Sequence, residues 1–312
     1  MSTSTMTPTS TETMRERFYR VTGELLDERD DLAVVLAVIG LGQLADAGIV
    51  ARHPTRVVDV GIREQTMIGV AAGLALEGIR PIVHTYAPFL VERPFEQVKL
   101  DFAHQDVGAV LVSVGASHDW AEGGRTHMSP GDVALMSTLP GWEIHVPGHP
   151  DEAETVFRRA VAGTGRVYIR LADRSNRSAQ PADGSVVTLR RGSRGTATVL
   201  AVGPMLDAVL LACTDLDVTV AYTATVRPLD AVGLRGAVDG SDVVVVEPSL
   251  EGTSAAAVTE VLRDRPIRLL SIGVGHDERR NYGTRREHDA AWGLDADGLR
   301  SRITAFGART VS

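Results

Sequence analysis

The chain has 312 residues, enough for two domains with cores of their own. Hydrophobic residues make up 44% of it and the net charge is -8, which fits a globular protein and argues against a general nucleic-acid binder, since that needs a basic face. A single cysteine, Cys213, leaves no intrachain disulfide and no cysteine-based metal cluster.

Residues 1–13 are rich in Ser and Thr, with neither a basic start nor an apolar stretch, and read as a disordered tail and not a signal peptide. No apolar run approaches the ~20 residues that span a bilayer, so no membrane segment is expected. Together with the lone cysteine, this makes the cytoplasm the expected location. From Met14 the apolar residues Phe18, Val21 and Leu25 recur at helical spacing. Residues 32–39 form a continuous apolar run ending at Gly40, which predicts a buried strand. A strand at 57–60, a helix at 64–76 closed by Gly78, a strand at 81–85, a helix at 95–104 and a strand at 110–114 follow. The alternation continues through 143–146, 152–162 and 167–171. It predicts a parallel sheet with helices on both faces. The pattern breaks in a stretch rich in Asp, Ser, Gly, Pro and Arg, and the linker is assigned to 179–195. A second α/β series then has strands at 197–202, 218–222, 243–247 and 268–272. The fold class is thus two doubly wound α/β domains, at 14–178 and 196–312.

In open α/β sheets, ligands bind beyond the carboxyl ends of the strands. Three segments lie there. In Asp59-Val60-Gly61-Ile62-Arg63-Glu64-Gln65, a strand ends, Gly61 permits a tight turn, and Glu64 starts a helix. On its own, Glu64 is equally a carboxylate that the helix dipole favours. Tyr86-Ala87-Pro88-Phe89-Leu90 offers two aromatics able to stack on a flat ring, or simply to pack in a core. Ala121-Glu122-Gly123-Gly124-Arg125-Thr126-His127 offers close backbone approach and a proton carrier near neutral pH, or a surface turn with a solvated imidazole. His118 and His127 lack the spacing of a zinc site, so no metal ligand is assigned in this chain. No GxxxxGK followed by Ser or Thr, no GxGxxG and no GxSxG occurs.

Taken in order, Asp59 to Met67, Ala71-Ala72-Gly73-Leu74-Ala75, Tyr86 to Val98 and Glu122 to Met136 resemble the pyrimidine domain of transketolases and 1-deoxyxylulose-5-phosphate synthases. Val226-Arg227-Pro228-Leu229-Asp230 resembles the family's KPLD segment. Gly293-Leu294-Asp295-Ala296-Asp297-Gly298 resembles its C-terminal GLDAAG. The resemblance runs over about residues 14–306. It implies a pyrimidine-binding thiamine-diphosphate fold followed by a transketolase C-terminal-like domain. It further implies that Glu64 hydrogen-bonds the aminopyrimidine and favours the tautomer able to take the thiazolium proton. Tyr86, Phe89 and Arg93 would join it in holding the cofactor, and His127 would meet substrate oxygens and act in catalysis.

Family enzymes of full length carry an upstream domain whose GDG…N motif holds Mg²⁺ and the diphosphate, and this chain has no such motif. The resemblance therefore implies a partner, an N-terminal transketolase-like subunit, with association into an α2β2 assembly. The family acid before Thr/Ser-His is Gly123 here, which removes a charged acceptor for a donor hydroxyl. Arg125 stands where a small residue or Pro is usual; it either binds a substrate anion or faces solvent or the partner. The family's R-Y-P-R-G segment implies a substrate-phosphate role for Arg174 or Arg170, although the chain reads Ile169-Arg170-Leu171-Ala172-Asp173-Arg174. The expected activity is two-carbon ketol transfer from a ketose or its phosphate to an aldehyde, in a specialised pathway. The alternatives are a decarboxylating synthase joining pyruvate to an aldehyde, and a non-catalytic regulatory subunit.

Overall fold

The computed structural model describes residues 12–308. Residues 1–11 of the expected tail lie outside the described residues. Thr13, assigned to that tail, instead caps the first helix, Met14–Glu28: its hydroxyl accepts from the Glu16 amide at 3.2 Å, and Glu16 returns a bond to the Thr13 amide at 2.8 Å. That helix lies on the helix Pro150–Ala162, where Arg17 pairs with Asp151 at 2.8 Å and with Glu154 at 3.0 Å.

The strands in chain order are β1 (Leu32–Leu36), β2 (Val57–Asp59), β3 (Arg80–Tyr86), β4 (Ala109–Val114), β5 (Trp142–His145) and β6 (Arg166–Arg170). After them come β7 (Val187–Arg190), β8 (Thr198–Val202), β9 (Thr219–Thr223), β10 (Thr225–Arg227), β11 (Asp242–Leu250) and β12 (Arg268–Val274). One sheet has the order β10-β5-β6-β4-β3-β1-β2 and the other β12-β11-β8-β9-β7. Every residue of β1, β4, β8 and β9 is buried. Such strands read as unbroken apolar runs because helices cover both faces of a parallel sheet.

Two strands depart from the expected division. The stretch assigned as linker, 179–195, contains β7, which pairs antiparallel with β9, Val187 opposite Tyr222. Its four residues are all half-buried, so no apolar run announced it among the surrounding turn residues. Strand β10 leaves the second half and closes the edge of the first sheet, antiparallel to β5, with Thr225 opposite His145. The expected helix at 95–104 is α-helical over Phe95–Gln97 and π-helical over Val98–His104, and Pro88–Glu92 is π-helical as well. No described helix is long and apolar enough to cross a membrane.

Candidate active site

The carboxyl ends of β2, β3 and β4 carry the three segments singled out above. After β2 the chain turns at Gly61, whose φ of 72° falls in the left-handed region that glycine tolerates. The Asp59 carboxylate fixes this turn by accepting from the amides of Val38 at 2.7 Å and Gly61 at 3.3 Å. Glu64 is thereby the first residue of the helix Glu64–Leu76, and it is only 3% exposed. Burying an ionised carboxylate requires compensation. The helix N-terminus supplies part of it, and Arg93 supplies the rest, donating to Glu64 Oε1 at 2.5 Å. Among the described residues, the second carboxylate oxygen has no side-chain or backbone donor.

Arg93 follows the π-helical turn after β3, and its guanidinium lies over the Phe89 ring at 4.2 Å. Phe89 meets the His127 ring edge-on at 5.2 Å. Tyr86 meets Phe89 at 6.1 Å and His127 at 5.9 Å, both at nearly right angles. The structure thus gathers Glu64, Arg93, Phe89, Tyr86 and His127 into one row. His127 Nδ1 lies 3.1 Å from the Gly123 carbonyl and 3.0 Å from the Thr126 hydroxyl. The carbonyl can only accept, so the ring proton belongs on Nδ1 and Nε2 is left free to meet a ligand.

Two members of this row were not anticipated from the sequence. Trp120 stacks on Tyr86 at 5.2 Å and meets His127 at 4.4 Å. Arg15, from the first helix, lies 5.7 Å from the Tyr86 ring and donates to the Tyr19 hydroxyl at 3.0 Å. Tyr19 in turn donates to His84 Nε2 at 3.0 Å, and His84 Nδ1 donates to the Val112 carbonyl at 2.8 Å. Burial depresses the His84 pKa to about 3, so the ring stays neutral and this tautomer is fixed. A lone tryptophan and an arginine on an amphipathic helix have no spacing that marks them. The only available signal was an aromatic residue in the loop that ends at His127.

The arginines expected at the substrate are placed differently. Arg125 donates to the Glu278 carboxylate at 3.0 Å and to the Met128 carbonyl at 2.9 Å. Arg174 donates to Asp289 at 2.6 Å, and His118 Nε2 shares that carboxylate at 2.8 Å. Both carboxylates come from the second half of the chain, so each guanidinium is paired across the junction. Arg170 is fully buried: it donates to Asp132 at 2.8 Å and to the Ser117 hydroxyl at 2.6 Å, and Tyr168 adds a bond to Asp132 at 2.6 Å. It is a core ion pair and is closed to a substrate phosphate. No group of three His, Cys, Asp or Glu able to hold a metal occurs among the described residues.

Residues 11–177 match the transketolase pyrimidine-binding domain. The chain belongs to the transketolase family. It is 52% identical over 278 residues to a 33.6 kDa protein in the fasciation locus of Rhodococcoides fascians, covering 88% of each. It is 30% identical over 267 residues to a subunit of the apulose-4-phosphate transketolase of Actinobacillus succinogenes, covering 81% of this chain and 85% of that one. It spans about half the length of the 1-deoxy-D-xylulose-5-phosphate synthases it matches, with 31% identity to synthase 2 of Geobacter sulfurreducens over 94% of this chain and 49% of that one. The fold matches a structure described as a split gene transketolase, inactive beta4 tetramer, with TM-score 0.80 and 24% identity over 96% of this chain and 99% of that one. The cofactor of the transketolase family is thiamine diphosphate. The residues present in this transketolase-type chain fit its pyrimidine, because a buried carboxylate with an unpartnered oxygen stands beside an aromatic wall.

Proposed function

We propose that the chain is the pyrimidine-side subunit of a two-component, thiamine-diphosphate-dependent transketolase that moves a two-carbon ketol unit from a ketose or ketose phosphate to an aldehyde. The observation that carries this reading is Glu64, a nearly inaccessible carboxylate with one oxygen unpartnered, at the head of a helix beside Phe89 and Tyr86. In this reading Glu64 holds a proton at a pyrimidine ring nitrogen, and Arg93 keeps its carboxylate oriented. Phe89 and Tyr86 flank the ring, and His127 presents Nε2 to a substrate oxygen. When bound, thiamine diphosphate supplies the carbon nucleophile and the electron sink. Mg²⁺ and the diphosphate fall to the partner, since Mg²⁺ needs oxygen ligands together with the phosphates. The partner is an N-terminal transketolase-type subunit, and two pairs form α2β2. A relative of similar length is itself one subunit of a transketolase, which supports this division of labour.

The test is reconstitution with such a partner, thiamine diphosphate and Mg²⁺, followed by product analysis. Two-carbon transfer without gas release supports ketol transfer. Glu64→Gln in the assembled pair is expected to lower kcat by about 100-fold or more while leaving co-purification intact. A turnover number unchanged by Glu64→Gln would refute the assignment. The likeness to synthase 2 over 94% of the chain favours one second reading, a decarboxylating condensation of pyruvate with an aldehyde. Carbon dioxide release from pyruvate decides for it. Retention of Glu64, Phe89 and His127 in one row counts against a non-catalytic subunit.

A further inference from the structure

Trp120 is one of the exposed large hydrophobic side chains, at 39%. Its open surface adjoins His127, the histidine that the proposed function turns to a substrate oxygen. Its neighbours set its place in the row. Arg93 touches both Glu64 and Phe89 at the cofactor end. Trp120 touches Tyr86 and His127, at the His127 end of the row.

Gly123 adds no side chain to this row. A side chain at Gly123 would bring its Cβ to 3.0 Å from His127 Cγ, 3.1 Å from Cβ and 3.2 Å from Nδ1. A side chain there would therefore need the imidazole to shift by a few tenths of an ångström, and Gly123 offers only its carbonyl, already used by His127. The nearby cations Arg125 and Arg174 are turned to Glu278 and Asp289. Beside His127 Nε2, the rings of Tyr86 and Trp120 therefore offer an acceptor apolar surface, with Phe89 at the cofactor end and Arg15 held by the Tyr19 hydroxyl.

We propose that Trp120 is the specificity-determining residue for the acceptor, and that the acceptor aldehyde carries an alkyl or aryl group beside its carbonyl in place of the hydroxylated, phosphorylated chain of a sugar. This inference rests on the reading of the site as a transketolase site and names its substrate class. Hydroxyls laid against these rings lose their water partners, whereas an apolar group gains contact. Apolar pockets discriminate by about 10- to 200-fold.

The test uses the reconstituted two-subunit holoenzyme with hydroxypyruvate as donor. Acceptor kcat/KM is measured for benzaldehyde, hexanal, glycolaldehyde and glyceraldehyde 3-phosphate, for the wild type and for Trp120→Ala and Trp120→Phe. Saturation-transfer NMR of benzyl alcohol on the same complex reports occupancy without turnover. The expected result is a kcat/KM at least tenfold higher for benzaldehyde or hexanal than for glyceraldehyde 3-phosphate. Trp120→Ala should lower the benzaldehyde-to-glycolaldehyde ratio at least tenfold, mainly through KM, and abolish the benzyl alcohol signal, while Trp120→Phe restores most of both. A preference for glyceraldehyde 3-phosphate overturns the proposal. So does an equal loss for all acceptors on Trp120→Ala, the mark of a merely structural role, or a benzyl alcohol signal that survives it. A complex that binds benzyl alcohol through Trp120 yet transfers no ketol unit to any acceptor would remove the transketolase reading and the acceptor role with it, leaving an apolar binding site at Trp120.

Discussion

Arg170 shows how a charged side chain can be committed to the scaffold of a site without touching a ligand. It is 1% exposed and paired with Asp132, which is fully buried. Removing one partner of such a pair leaves a charge with no compensation, a loss of about 3–5 kcal/mol. Arg170→Met is therefore expected to lower the urea midpoint sharply, and Arg170→Met with Asp132→Leu to recover much of it. The same arginine holds the Ser117 hydroxyl, which donates in turn to the Pro248 carbonyl, so the single variant should also loosen the loop that leads to His127. At this scale the sequence was legible where a residue's place was set by its neighbours in the chain. Glu64 stands between a turn glycine and a helix, and Phe89 and His127 follow strand ends. The pairing of Arg125, Arg170 and Arg174 was not legible because their partners Glu278, Asp132 and Asp289 lie far along the chain or on another element, and a guanidinium reads the same whether or not a carboxylate awaits it.

At the scale of elements, β11 ties the second half to the site loop. Its Leu250 amide donates to the Pro130 carbonyl at 2.7 Å. Glu247, four residues after Val243 on that strand, accepts from the Ser254 amide at 3.1 Å and the Ser254 hydroxyl at 2.7 Å, at the start of the helix Ala255–Val261. Burial outweighs these bonds and pushes its pKa from an ordinary 4.5 up to about 7. The folded state then holds a proton that the unfolded state has released. Stability should accordingly be highest below pH 4.5 as far as this group is concerned, fall as pH rises to about 7, and level off above it, a change of about 3 kcal/mol. Urea midpoints from pH 5 to 8 check this, and Glu247→Gln is expected to flatten the fall. Most strands and helices were legible because parallel strands buried on both faces are continuous apolar runs. The π-helical turns were not, since an α-helix and a π-helix share the same apolar pattern over one turn.

At the scale of the whole molecule, the two sheets are stitched together. Strand β10 crosses from the second half to β5, and β7 sits where a linker was expected. Glu152 adds a third tie, accepting from the Gly148 amide at 2.8 Å, the Gln180 amide at 2.7 Å and the Tyr222 hydroxyl. A fragment of residues 1–195 would expose the edge of β5 and leave Glu152 without Tyr222. Such an open edge invites association. The fragment is expected to elute as aggregate in size-exclusion chromatography and to become soluble when residues 196–312 are co-expressed. The crossing could not be read from composition because β10 is three residues long and its partner lies about eighty residues earlier. Recombination between related subunits is constrained by the same crossing. A chimera joined in the 179–195 segment would take β10 from one parent and β5 from the other, mismatching a hydrogen-bonded edge, whereas a joint placed after Arg227 keeps both in one lineage but parts β8 from β11 in the second sheet. The heritable module in this architecture extends past its apparent border.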